Sequence, residues 1–383
     1  MSVWDQVRTT RAVEGIERAA AAGALPHAWL FLGPRGSGKR PVAVALAAAL
    51  NCGEEPGVGC GRCSSCLRTL RRRHPDVHHV VPEGPLIPVD VVREQVVPEA
   101  TRSPFEGRRK IFIIEEADRM NTAAQNALLK TLEEPHEDTV FVLISERDED
   151  ILETIVSRCR VVHFEPVAEA RIVELLERAG AGRDQARLAA RVSDGDLERA
   201  QTFAFDDAAL ERRRFWLSLP RRLTSPLAAL EAAGEVIAEA KEVVAQRERA
   251  QEAEVAELAE AMGEGRGTAA ARNALAKRHK RELRRVEEEV LGEALTTMAS
   301  YYRDVIVLRR GGGGALTNLD LYDELEAWAA GELADAALLA AVERLVTVRA
   351  GLARNANAQL ALEAAFAEVA ALCPPAAARH QAG

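Results

Sequence analysis

With 383 residues, 48% hydrophobic and 28% charged, the chain is long enough for two or three domains, each with its own core. Its net charge of −9 argues against a free-standing nucleic-acid binder and leaves room for a local basic patch that works inside an assembly. Apolar runs such as those at 111–114 and 140–144 are far too short to span a bilayer, so no membrane partner is expected.

The first residues show no basic segment followed by an apolar one, and no secretory signal is expected. Small and apolar residues then recur at helical spacing: Val7, Ala12, Ile16, Ala19 and Ala20. His27 to Leu32 reads as a short buried strand. It feeds Gly33-Pro34-Arg35-Gly36-Ser37-Gly38-Lys39-Arg40, which has the form of a phosphate-binding P-loop. The Ala/Val-rich stretch from Pro41 to Leu50 reads as the helix after it, with Pro41 tolerated in the first turn. Backbone N–H groups around Gly36 and Gly38 would face a phosphate, and Lys39 would add a point charge. The alternative is a glycine-rich turn with no nucleotide history. One position departs from the pattern: where Ser or Thr would place a hydroxyl on Mg²⁺, the chain has Arg40. Binding of ATP or ADP is therefore left open. Hydrolysis is expected to be lost, because the metal polarises the transferred phosphoryl group.

Four of the six cysteines follow, as Cys52-x7-Cys60-x2-Cys63-x2-Cys66. Four thiolates satisfy tetrahedral Zn²⁺ with no open position, so the expected site is structural and belongs to a reducing cytoplasm. Free or disulfide-bonded cysteines, or a ligand from His74, His78 or His79, are the alternatives. Cys159 and Cys373 lie far from this group and read as plain thiols. Arg68, Arg71, Arg72 and Arg73 on the next helix suit a phosphate backbone, an acidic partner or solvent. A second strand is expected at 77–81 and a helix at 89–97.

Lys110 to Ile114 reads as a buried parallel strand, and Glu115-Glu116-Ala117-Asp118 at its end has the form of a Walker B segment. There the first acid would hold Mg²⁺ through water and the second would activate attacking water. Glu115 stands in place of the usual Asp, a second departure at the metal. Asn121 is a candidate cap for a helix that buries Ala124, Ala127, Leu128 and Leu132 and ends at Pro135. Residues 140–144 read as another central strand. Ser145 sits at its end, where such ATPases keep a polar sensor. A last strand is expected at 161–164.

Assembled in this order, the sequence resembles the bacterial DNA polymerase III clamp-loader subunits of the AAA+ class, and among them the delta-prime kind. The residues that carry the likeness are 25–34 (Leu-Pro-His-Ala-Trp-Leu-Phe-Leu-Gly-Pro), the four-cysteine insertion, and His74-Pro75-Asp76. Asn126 to Pro135 (Asn-Ala-Leu-Leu-Lys-Thr-Leu-Glu-Glu-Pro) and Ser157-Arg158-Cys159 complete the set. Beyond about residue 205 only Tyr302-Arg303-Asp304 and Asn355-x-Asn357-x-x-Leu360-Ala361-Leu362-Glu363 contribute.

The resemblance implies a RecA-like α/β AAA+ domain (1–165, with the zinc module at 52–66), a small all-α lid (166–205) and an all-α collar (206–383). It implies partners: motor subunits of the tau/gamma type and a delta subunit in a hetero-pentamer, the sliding clamp, and primed DNA within the assembly. It also implies that Arg158 reaches a neighbouring subunit's ATP as an arginine finger, a contribution of orders of magnitude in rate. A surface salt-bridge arginine is the alternative. Motor subunits carry a Gly-Ser-x-Arg sensor in the lid; Gly195-Asp196-Leu197-Glu198-Arg199 puts Glu198 at the arginine's place. Three departures thus point to a subunit that lends a finger without firing itself. The rival readings are an ATP-hydrolysing motor subunit of the same complex and, in another class, a zinc-bearing DNA-binding scaffold.

After Pro166 the pattern is short amphipathic helices, and from Asp206 onward Ala/Leu-rich helix. Residues 241–262 and 269–291 read as the arms of a charged helical hairpin, about 240–292, with an apolar seam of Val244, Val255, Leu258, Leu283 and Val286. Arg278, His279, Lys280, Arg281, Arg284 and Arg285 make the second arm basic, which suits a solvated face or a DNA or partner contact. Residues 311–314 read as a flexible joint and the tail after Pro375 as disordered.

Overall fold

The computed structural model describes residues 2–5, 7, 8, 11–23, 25–82, 84, 86–262, 266–313, 316–352 and 357–375. Two compact units divide it: 1–82 with 86–205, and 83–85 with 206–383. The side chains of Leu258 and Arg278, the turn at 263–265, Gly314, Asn355 and the tail after 375 lie outside the described residues.

The first unit is built on a five-stranded parallel sheet, β1 (Ala28–Leu32), β2 (Val77–Val80), β3 (Lys110–Ile114), β4 (Thr139–Ser145) and β5 (Arg160–His163), in the order β2-β3-β4-β1-β5. β1, β3 and β4 are buried throughout, as parallel strands covered on both faces must be. Alternate residues serve opposite layers. Trp29, Phe31, Ile111, Ile113 and Val142 meet α1 (Arg11–Ala21) and α2 (Lys39–Leu50). Leu30, Phe112, Ile114, Phe141 and Leu143 meet the other layer, α4 (Val89–Val91), α5 (Val97–Ala100) and α6 (Thr122–Glu133). The Ala-rich face of α2 lets that helix sit close under the sheet. α3 (Ser64–Leu70) begins inside the cysteine segment, with Cys63 as its cap and Cys66 in its first turn.

The helix expected at 89–97 is widened by a π turn at Val92–Val96. Pro98, inside the first turn of α5, removes a donor and crowds the carbonyl four residues back, and a wider turn relieves that clash. Asn121 caps α6 as expected, accepting from Ala124 N at 2.8 Å. α7 (Glu153–Val156) leads to β5, and the lid segment is α8 (Glu169–Arg178), α9 (Arg183–Val192) and α10 (Leu197–Phe205).

The second unit is helical: α11 (Asp207–Arg222), α12 (Pro226–Met262), α13 (Arg266–Arg309), α14 (Tyr322–Ala329), α15 (Asp335–Leu352) and α16 (Ala358–Leu372). The hairpin arms are continuous with core helices, because α12 begins in the core at Ala229 and α13 re-enters it at Leu291. Across the arms Arg247 Nε donates to Glu282 at 2.9 Å, and Gln251 Nε2 donates to the same carboxylate at 2.9 Å. Arg284 and Arg285 pair with Glu288 and Glu289 along their own helix. Tyr302 is buried, and Asp304 beside it accepts from the backbone of Thr317 and Asn318. Asn318 in turn accepts from the buried Arg213 of α11, which also pairs with Asp320. Asn357 caps α16.

Candidate functional site

The P-loop lies between β1 and α2, and its glycines are dictated by geometry. Gly36 and Gly38 have φ of +69° and +86°, in the left-handed region that glycine tolerates best. A Cβ at Gly36 would also meet Asp196 Oδ1 at 1.8 Å, so the lid loop packs directly on the P-loop. Leu197 N donates to Gly36 O at 3.0 Å across the same contact.

Lys39 is buried and folds back on its own loop. Its Nζ donates to Gly33 O and Pro34 O, both at 2.6 Å, and to Ser37 Oγ at 3.3 Å. An ammonium has three donors, and all three are engaged. Burial draws the Lys39 pKa below its ordinary value, partly opposed by Glu146, Asp118, Asp196 and Glu198.

Arg40 occupies the ground between the Walker B strand and the lid. Its Nε lies 2.6 Å from Glu115 Oε2 and its Nη1 lies 3.7 Å from Glu198 Oε1. Glu115 is 2% exposed and has two further neighbours, the Arg72 guanidinium at 3.5 Å and the His79 imidazole at 3.8 Å. These are ion-pair approaches more than aligned hydrogen bonds, since neither carboxylate oxygen has a well-oriented donor. Burial alone would raise the Glu115 carboxyl; His79, Arg40 and Arg72 outweigh it and hold it below the usual range. Glu116 has φ of +51° and pairs with Arg119 at 2.8 Å. Ser145 Oγ donates to Arg147 O at 2.6 Å and lies 3.1 Å from Asp118 Oδ1. The structure thus joins Arg40, Glu115 and Glu198 in one ion-paired group, while Lys39 turns onto its own loop and Ser145 onto Asp118 and Arg147.

Cys52, Cys60, Cys63 and Cys66 converge as a second group. Their Sγ atoms all lie within 4.8 Å of one another, and this cluster could hold a metal ion. All four are free of disulfides. Backbone N–H groups point at the sulfurs: Glu55 N and Cys60 N at Cys52, Cys63 N at Cys60, and Cys66 N at Cys63, at 3.2 to 3.5 Å. Burial would raise the Cys63 thiol, but N–H groups of Cys66 and Gly53 and the adjacent thiols outweigh it and bring it down to about 6. Burial pushes the Cys66 thiol up. His78 stacks on Phe112 and His74 faces Glu106, so neither histidine joins the thiol cluster.

Arg158 sits on the turn between α7 and β5, about a third exposed. Its guanidinium pairs with Glu133 at the end of α6 and donates to Thr154 O at 2.8 Å. Gln125, which the sequence does not mark as a site residue, fixes the loop that leads into α7. Gln125 Nε2 donates to Asp150 O at 2.9 Å and Oε1 accepts from Leu152 N at 2.8 Å. A glutamine on the apolar side of a helix is the signal that would have marked it. α6 therefore holds the loop before α7 through Gln125 and the Arg158 turn after it through Glu133.

Residues 8–168 match the family described as DNA polymerase III, delta subunit. Over 190 residues the chain is 35% identical to DNA polymerase III subunit delta' of Bacillus subtilis, covering 50% of this chain and 57% of that protein. Over 136 residues it is 43% identical to the subunit of the same name from Pseudomonas aeruginosa, covering 35% and 41%. It is also 38% identical over 163 residues to DNA polymerase III subunit gamma/tau of Mycobacterium tuberculosis, covering 42% of this chain and 28% of that one. The match thus spans about half the length of the delta-prime relatives and less of the gamma/tau protein. Among the described residues no helix is long and apolar enough to cross a membrane.

Proposed function

We propose that the chain is a delta-prime-type subunit of a cytoplasmic, nucleoid-associated clamp loader, with an AAA+ domain (1–165), a lid (166–205) and a collar (206–383). It joins tau/gamma-type and delta subunits in a hetero-pentamer that opens the sliding clamp and places it on primed DNA. The observation that carries the reading is Arg40 seated between Glu115 and Glu198. A guanidinium there takes the position and charge of the metal, and Lys39 is tied to loop carbonyls instead of awaiting phosphate. Arg158, by contrast, lies on a braced, part-exposed turn and is suited to complete a neighbour's site.

The four thiols fit a structural Zn²⁺. A tetrahedron of ~2.3 Å Zn–S bonds has edges of about 3.8 Å, and Cys52 Sγ lies 3.9 Å from Cys63 Sγ. Backbone N–H groups aimed at the sulfurs are the support that thiolate ligands need. Bound there, zinc would close the 52–66 segment and leave no position for catalysis.

The gamma/tau likeness supports a second reading, a motor subunit. Measurement of MgATP binding and turnover by the isolated chain separates the two. The delta-prime reading expects no turnover, whether or not nucleotide binds; turnover abolished by Lys39→Ala would establish the motor.

A further inference from the structure

Phe105 is 85% exposed, the most exposed large apolar side chain among the described residues. Its loop is not loosely held. The carboxylate of Asp76, 1% exposed, accepts from three successive backbone donors, Phe105 N, Glu106 N at 3.0 Å and Gly107 N at 2.7 Å. Asn51 then grips Arg109 through both N at 2.8 Å and O at 2.9 Å. Glu106 is anchored to α3 by Arg68 at 2.6 Å. A Cβ at Gly107 would meet Asn51 Oδ1 at 2.9 Å, so the loop is also tightly packed. An aromatic ring left in water on a rigid loop is a preorganised anchor, since the backbone that carries it is already ordered before association.

The charges around it select a partner. The local acids are already engaged: Glu99 by Lys110 and Arg102, Glu106 by Arg68, and Asp138 by Arg109. Arg71, Arg73 and Arg108 are exposed, with no ion-pair partner among the described residues. α3, tied to the loop through Arg68, adds the half-exposed Leu67 and Leu70. We propose that Phe105, with Leu67 and Leu70 and the guanidinium rim of Arg71, Arg73 and Arg108, is a docking surface for an acidic protein segment carrying apolar side chains. The exposed aliphatic side chains of Leu67 and Leu70 on α3, which Arg68 ties to the Phe105 loop, favour such a segment over single-stranded nucleic acid, which takes stacked aromatics along a groove. The surface precedes β3 beside edge strand β2, while Arg158 precedes β5 at the opposite edge of the sheet. A partner seated on Phe105 is therefore placed apart from the Arg158 turn.

The test is fluorescence anisotropy with the full chain and a labelled peptide of Asp, Glu, Leu and Phe, beside the same peptide with Lys for its acids and an oligothymidylate. Binding of the acidic peptide is expected to weaken about tenfold or more in Phe105→Ala and in Arg108→Glu. Thermal melts of both variants should match the parent, because both side chains are exposed. Absence of acidic-peptide binding, or equal binding by Phe105→Ala, overturns the proposal. Phe105-dependent binding of the oligothymidylate instead overturns it in favour of nucleic acid.

Discussion

Arg40 Nε lies 2.6 Å from Glu115 Oε2, so the residue at the metal-ligand place of the loop neutralises the acid that would hold the metal. Each departure from the motor pattern is therefore compensated by the others. Removing one partner should expose this dependence. Arg40→Ala leaves Glu115 buried with only Arg72 and His79 nearby, and is expected to cost about 1–3 kcal/mol, below the full value for a broken buried pair because Arg40 is part-exposed. The double variant Arg40→Ala/Glu115→Gln should recover part of that loss in a denaturant titration. Additive losses would contradict the pairing.

Acid should find the same weakness. Glu115 and Asp76 both have folded pKa values held below the ordinary range, Glu115 against burial by His79, Arg40 and Arg72, and Asp76 against burial by three backbone N–H groups. A group depressed in the folded state stabilises above its unfolded pKa, and that contribution is lost as pH falls through the folded value. Stability is thus expected to drop below roughly pH 4. Asp76→Asn should flatten that acid limb and lower stability at neutral pH, as read from melting temperature against pH.

Metal content and stability should move together at the cysteine cluster. The chain purified under reducing conditions is expected to carry one zinc, and Cys63→Ser or a strong chelator should remove it and lower the melting temperature. Less than one zinc per chain, with an unchanged melt on chelation, would refute a structural ion.

The P-loop, the Walker B strand and the four cysteines were legible because each is contiguous in sequence and its chemistry is written in residue type. So were the continuous apolar runs that build β1, β3 and β4 and the Asn121 cap. What joins Arg40 to Glu115 and Glu198 was not legible, because spacing cannot say where a long side chain will turn when its metal partner is gone. The structural use of Asp76 and of Asp304 was hidden for a related reason. Both read as motif residues, and only the fold brings the loop amides at 105–107 and 317–318 to them. Charge marked the hairpin arms, which lie between the core residues Ala240 and Leu291; that α12 and α13 are continuous from those arms into the core was not legible.

The brace on Arg158 gives a graded expectation. Glu133→Ala removes the pair that orients the guanidinium but keeps the guanidinium itself. It should lower the trans effect on a partner's ATP hydrolysis by a few-fold, well short of the loss caused by removing the arginine. An effect as large as that of Arg158→Ala would assign Glu133 a role beyond orientation.

The most direct measurement is DNA-stimulated ATP hydrolysis by a clamp loader reconstituted from motor and delta subunits with either the parent chain or Arg158→Ala. Assembly should be equal in both. Hydrolysis should fall by about tenfold or more with Arg158→Ala, in keeping with the rate an arginine finger supplies in trans. Unchanged hydrolysis in a fully assembled complex would contradict the account.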